Sequence, residues 1–265
     1  GRCLGIGLAQ RGAQVALLAR RRAMLDDAAK EAGPGTLAVD CDVTDEAACA
    51  EAMRAGARQF GGIDLLICNA GIMALPQLEQ AYGLEKQFVT NHLGHFLLVN
   101  RLLPQVQAAE QGRVVVVSSS ALKWADETAI EWDNLSGERD YDPNRAYGQS
   151  KLANCLFSIE LAHRLAGTAT TCNSMNPGAV LTDLQRHAPA WLVKLGDVLG
   201  PAFMKSPAEG ASTVCYLAAH PGVAQVSGRY FIDCNPVSLG GNSENLEMAA
   251  RLWDVSTDLV REYLA

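Results

Sequence analysis

The chain has 265 residues, 49% of them hydrophobic and 19% charged, which is the composition of an ordinary globular protein with a sizeable core. Its net charge of -7 argues against a nucleic-acid surface, and the one basic cluster, Arg20-Arg21-Arg22, is too short to make one and reads as a solvated loop. Eight scattered cysteines without a C-x-x-C pair indicate reduced, mostly buried thiols, and no apolar run approaches the roughly 20 residues that cross a bilayer.

The chain opens Gly1-Arg2-Cys3-Leu4-Gly5-Ile6-Gly7, which carries the spacing of a phosphate-binding glycine loop. Such a loop follows a strand and opens a helix. Were Gly7 its last glycine, only residues 8–11 would precede the turn at Gly12-Ala13, about one helical turn, whereas a parallel crossover needs roughly a dozen residues. With Gly1 as the last glycine, residues 2–11 make about three turns, with Leu4, Gly7 and Leu8 toward a sheet. This register predicts that the first strand and the first two glycines lie ahead of Gly1, so that the central strand is missing from residues 1–265.

Strand-like apolar runs follow at residues 14–18, 37–40, 65–68, 114–118, 170–176 and 228–233, with helical stretches between them. The alternation predicts β/α units on a parallel sheet. Val114 to Val117 are apolar at consecutive positions, as strands covered by helices on both faces are. The fold class is therefore α/β, a doubly wound parallel sheet of Rossmann type in one domain over residues 1–265. Two stretches break the rhythm. Residues 123–145 form a polar insertion between a strand and a helix, and residues 184–207 are apolar, either a flap of short helices over a pocket or a core helix pair.

The second strand ends Leu17-Leu18-Ala19-Arg20. An acidic residue at that place would accept hydrogen bonds from a ribose 2'-hydroxyl, whereas a 2'-phosphate needs a cation. Ala19 with Arg20, whose guanidinium pairs bidentately with phosphate, selects NADP over NAD. Further on, Tyr147-Gly148-Gln149-Ser150-Lys151 places Tyr147 and Lys151 at i, i+4 on one helix face. A free phenol titrates near 10, and the ammonium beside it is predicted to favour phenolate.

These motifs stand in the order of the short-chain dehydrogenase/reductase family, which the chain resembles: Asp42-Val43, Asn69-Ala70-Gly71, Asn91, the strand ending Ser118-Ser119, Tyr-x-x-x-Lys, and Asn176-Pro177-Gly178 with Thr182. Residues 91–96, 146–154, 227–234 and 250–256 resemble its retinol-dehydrogenase-like branch, and the insertion before Tyr147 fits that branch. The resemblance implies that Tyr147 transfers a proton, that Ser119 holds the substrate oxygen, with Ser118 and Ser120 as near alternatives, and that Asn91 supports a proton relay through Lys151. It implies a site for NADP(H) built from Gly1, Arg20, Asp42, Val43, Asn69, Ala70, Gly71, Tyr147, Lys151, Pro177, Gly178 and Thr182. It also implies a small apolar aldehyde, ketone or alcohol as substrate, no nucleic-acid partner, and a possible homodimer. The expected location is cytoplasmic, or cytoplasm-facing and membrane-associated if an N-terminal anchor lies upstream.

His92 and His95, three apart, are expected to pack or support the site rather than bind metal, and His163, His187 and His220 are isolated. Two other readings remain. One is a non-catalytic or fragmentary binding protein on the same fold, which NADPH titration would separate. The other is an epimerase or lyase that returns its cofactor unchanged.

Overall fold

The computed structural model describes residues 1–42, 45–180 and 204–264. Gly1 is the N-cap of helix α1 (Arg2–Ala9), and the turn after it leads into β1 (Val15–Ala19). Helix α2 (Arg22–Ala32) then connects β1 to β2 (Thr36–Asp40), which runs parallel to it. Helix α3 (Glu46–Phe60) starts where the Asp45 carboxylate accepts from the Ala48 N–H and stops at Gly61, whose φ of 83° requires the left-handed conformation that glycine adopts freely. It returns the chain to β3 (Leu65–Cys68).

A small hairpin of β4 (Gln80–Ala81) and β5 (Leu84–Glu85) leads into α4 (Lys86–Phe88), a π turn over Val89–Leu93, and α5 (Gly94–Gln107). Strand β6 (Arg113–Val117) is followed by a 3-10 helix (Ser120–Ala125) and then by α6 (Pro143–Arg164). After β7 (Thr171–Asn176) come α7 (Pro207–Ala219), β8 (Tyr230–Ile232), β9 (Asn235–Val237), α8 (Leu246–Leu259) and α9 (Arg261–Leu264).

The sheet has the order β3-β6-β7-β8-β9, parallel except for β9, while β1 and β2 form a separate parallel pair. Helix α1 joins the two pieces through side chains: Leu4 and Leu8 enter the core of the larger sheet with Val115, Val117 and Met175, and Ile6 and Ala9 pack on Val15 and Leu17. The predicted α/β class is the one observed, with strand ends shifted by a residue or two. The hairpin and β9 were not predicted, being two or three residues long and too short for a period to show.

The insertion lies between β6 and α6, as expected, but it also contributes to the core. Ala125, Ile130 and Leu135 are buried in the main core, so residues 123–145 are not merely a polar excursion. Their apolar positions come singly or in pairs between polar ones, too few for a period to show. Residues 184–203 of the expected flap lie outside the described residues. At its edges, Val180 and Lys205 form a single parallel bridge.

Helix α6 has Ala146 through Ser158 buried without interruption. It is covered by the sheet on one side and by the 3-10 helix and α8 on others, so even its polar residues are held out of water. That burial sets the chemistry of the site.

Candidate active site

Asn91, Ser119, Tyr147 and Lys151 come together at the carboxyl ends of β3 and β6, where open α/β sheets bind ligands. Asp142 caps α6 by accepting from the Arg145 N–H at 2.7 Å, and Pro143 sits in its first turn, so the helix begins at a fixed point just before Tyr147. One turn later Lys151 places its Nζ 5.6 Å from the centre of the Tyr147 ring and donates to the Val117 carbonyl at 3.2 Å.

The three candidate serines separate by role. Ser118 is buried and donates to the Lys151 carbonyl at 2.7 Å, which locks strand to helix. Ser120 is exposed. Ser119 caps the 3-10 helix by accepting from the Ala121 N–H and shares a hydrogen bond with the Tyr147 phenol, so of the three it is the one beside the phenol.

Asn91 is fully buried in the π turn and clamps the loop after β3: its Oδ1 accepts from the Ile72 N–H at 2.8 Å and its Nδ2 donates to the Ile72 carbonyl at 2.9 Å. The same Nδ2 reaches Ser150 Oγ at 2.9 Å, and Ser150 donates to the Tyr147 carbonyl at 2.8 Å. Gly71 lies against this cluster; a Cβ there would meet Asn91 Oδ1 at 3.1 Å and Lys151 Nζ at 3.7 Å.

The expected lowering of the Tyr147 phenol is not found. Burial pushes it up to about 12, against the Ser119 hydrogen bond, which favours ionisation. Burial also pulls Lys151 down to about 8. Each charged form loses more hydration than the neighbour returns, so the pair sits as neutral phenol beside an easily deprotonated amine.

The cofactor candidates fall into two groups, one past β3 and β7 of the main sheet and one at α1 and the β1–β2 pair. Asn69 and Ala70 are exposed just past β3, and Gly178, at φ 81°, follows Pro177 past β7, its N–H donating to Asn176 Oδ1. Arg20 and Asp42, at the ends of β1 and β2, approach within 3.8 Å of each other with side chains 70% and 42% exposed, so both can meet a ligand. Gly1 stands at the start of α1, where no side chain caps the helix. Val43 and Thr182 lie outside the described residues. The small residues past β3 and β7 and the exposed Arg20 cation are of types that suit a dinucleotide.

Four neighbours escaped the sequence reading. Gln87 accepts from the Ala74 N–H and donates to Tyr141 and to the Pro143 carbonyl, tying the loop after Gly71 to the start of α6. Trp124 lies 6.0 Å from the Tyr147 ring. Ser150 and Gly148 sit inside the Tyr-x-x-x-Lys motif, and only their place in it could have marked them. Among the described residues no group of three metal-ligating side chains occurs, and His92 instead packs within Phe88, Phe96 and Phe157 while bonding Ser256 Oγ.

Residues 1–131 match the short chain dehydrogenase family. Retinol dehydrogenase 14 of Mus musculus is 39% identical over 98% of this chain and 82% of its own length. The chain belongs to the short-chain dehydrogenase family. Retinol dehydrogenase 14 of Homo sapiens is 45% identical over 75% of the chain, a match that takes in 59% of the human protein, and retinol dehydrogenase 11 of Homo sapiens is 38% identical over 96% of the chain and 80% of its own length. The family member is thus retinol-dehydrogenase-like. Among solved structures, an uncharacterised protein from Mycobacterium paratuberculosis superposes with a TM-score of 0.73 at 31% identity, over 98% of this chain and 89% of that one. A 3-ketoacyl-(acyl-carrier-protein) reductase from Brucella melitensis complexed with NADH shares the fold, with a TM-score of 0.65 at 23% identity over 87% of this chain and 90% of that one.

Proposed function

We propose that this short-chain dehydrogenase is an NADP-dependent oxidoreductase that interconverts apolar aldehydes or ketones with the corresponding alcohols. The observation that carries the reading is the cluster of Ser119, Tyr147 and Lys151 at the strand ends, braced by Asn91 through Ser150. The preference for NADP is supported by Arg20 following Ala19 at the end of β1, and the apolar substrate by the retinol-dehydrogenase-like relatives and the exposed Trp124 ring beside Tyr147.

The reduced coenzyme, when bound, supplies hydride to a carbonyl carbon. Ser119 holds the carbonyl oxygen, and Tyr147, kept protonated by burial, donates the proton that this oxygen needs as the bond order falls. Lys151, with its Nζ 5.6 Å from the centre of the Tyr147 ring, would be the source that restores that proton, and its shift to about 8 makes the exchange possible near neutral pH. In the reverse direction the same groups accept the alcohol proton.

Tyr147→Phe tests the reading. The variant is expected to lose NADPH-driven reduction of an apolar aldehyde while binding NADPH like the parent. Undiminished turnover would sink the assignment of Tyr147, and consumption of NADH in preference to NADPH would sink that of Arg20.

A further inference from the structure

Cys68, Cys155 and Cys172 are sealed in the core, where burial pushes their thiols up and leaves them inert. Cys41 and Cys49 are differently placed. Cys41 is buried just past the end of β2, Cys49 is half-buried in the first turn of α3, and their sulfurs stand 4.0 Å apart. In reducing surroundings such a pair rests as two thiols, and the disulfides that do form there are chiefly transient and redox-sensing.

The pair is bonded to the backbone around the cofactor candidates Arg20 and Asp42. The Cys41 N–H donates to the Ala19 carbonyl at 3.2 Å, directly before Arg20, and the Cys49 thiol donates to the Asp42 carbonyl at 3.8 Å. The Asp42 carbonyl also accepts from the Asp45 N–H at 3.0 Å, and Asp45 caps α3. A shift at either sulfur is therefore passed to Asp42 and to the strand end that carries Arg20.

We infer that Cys41 and Cys49 are a modification site, joined reversibly by glutathione disulfide, and that the bond between them weakens the hold on NADPH. The second half rests on the reading of Arg20 and Asp42 as cofactor contacts. Cys49, the more exposed of the two, attacks one sulfur of glutathione disulfide as its thiolate, and a glutathione thiolate leaves. Cys41, deprotonated, then attacks the Cys49 sulfur of the mixed disulfide and expels the second glutathione. Two cysteine thiols are oxidised, one glutathione disulfide is reduced to two thiols, and the two cysteine protons end on them. An S–S bond is about 2 Å long, so the sulfurs must close by about 2 Å, and the Cys49 hydrogen bond to Asp42 is lost with its proton. Burial and the Cys41 thiol raise the Cys49 thiol, so the exchange is slow at neutral pH and quickens as pH rises.

The test treats the full chain with glutathione disulfide at alkaline pH, alkylates the remaining thiols and digests with trypsin. Trypsin cuts after Lys30 and Arg54, and the peptide between them holds Cys41 and Cys49 and no other cysteine. That peptide is expected to lose its two thiol hydrogens and to escape alkylation until dithiothreitol is added. Fluorescence titration of the same preparation should show NADPH bound about fivefold more weakly or beyond, with affinity restored by dithiothreitol. Cys49→Ser, which cannot pair, should bind NADPH alike with and without the oxidant. Alkylated or separately glutathionylated thiols in the peptide overturn the pairing, and unchanged affinity after pairing, or an equal loss in Cys49→Ser, overturns its effect on the cofactor. Should Cys49→Ser not fold, peptide mass and dithiothreitol reversal in the parent decide. A reduced parent that binds no NADPH overturns the reading of Arg20 and Asp42 instead, while peptide mass still decides the pairing.

Discussion

Replacing Gly148 by alanine sets two effects of opposite sign against each other beside the site. Glycine inside a helix is less favourable than alanine by about 1 kcal/mol, so propensity alone makes the variant more stable. A Cβ at Gly148, however, would stand 2.8 Å from the Ala121 carbonyl oxygen, 2.9 Å from Trp124 Cβ and 3.1 Å from the Ala125 nitrogen. Two of those atoms are backbone of the 3-10 helix, which can yield only as a whole. Comfortable contact begins near about 3.5 Å, so the helix must retreat by roughly half an ångström to an ångström. Overpacking of this kind costs about 1–3 kcal/mol, which after the helix gain leaves a net destabilisation of about 0–2 kcal/mol. The larger effect falls on chemistry, because Ser119 caps the helix being displaced and hydrogen-bonds Tyr147. A misplacement near about 1 Å is worth on the order of 100-fold in rate. Urea unfolding followed by circular dichroism, with kcat measured on the same preparation, should show a small fall in midpoint and a fall in kcat of roughly 10- to 100-fold. A Gly148→Ala variant that is more stable and equally active would refute the packing argument.

Gly112→Ala is a harsher case: the added Cβ would overlap the Val106 carbonyl oxygen at 2.1 Å and Thr170 Oγ1 at 2.8 Å, so a loss of at least about 3 kcal/mol in urea unfolding is expected, and an unchanged midpoint contradicts it. Acid should weaken the fold through His92 and His95, which burial holds down to about 3 and about 4. An unfolded histidine takes up its proton near 6.5, so the unfolded state binds more protons from about pH 6.5 down to about 4. Stability contributed by the neutral rings is present above that window and lost as pH falls through it, by up to about 1.4 kcal/mol per pH unit for each ring. Unfolding free energies measured from pH 7 to pH 5 should show that slope, reduced by roughly half in His92→Phe, and a slope indifferent to the substitution rejects the assignment. In the reductive direction, turnover is expected to decline above about pH 8 as Lys151 loses its proton, since Tyr147, up at about 12, stays protonated there. A pH profile flat to pH 10 would argue that Lys151 is not recharging Tyr147.

Where local rules suffice, residues 1–265 could be read without coordinates. The strand and helix alternation, the start of α1 at Gly1, the Arg20 position and the i, i+4 spacing of Tyr147 and Lys151 all depend on neighbours a few residues away. The few apolar residues of the insertion, Ile130 and Leu135 among them, do not show a period, and their burial depends on core partners brought there by the tertiary fold. Spacing alone left Ser118 and Ser120 beside Ser119, which the family resemblance named; how the three differ shows only in the fold, where Ser118 turns to the Lys151 carbonyl, Ser120 faces solvent and Ser119 meets Tyr147.

Sequence by itself determined the class of fold, the family and the chemical identity of the groups at the strand ends. Tertiary structure decided their protonation: the expected phenolate gave way to a buried neutral phenol, with Lys151 drawn toward neutrality. The physical reason is desolvation. It depends on how completely distant segments exclude water from a group, and neither spacing nor periodicity along the chain records that.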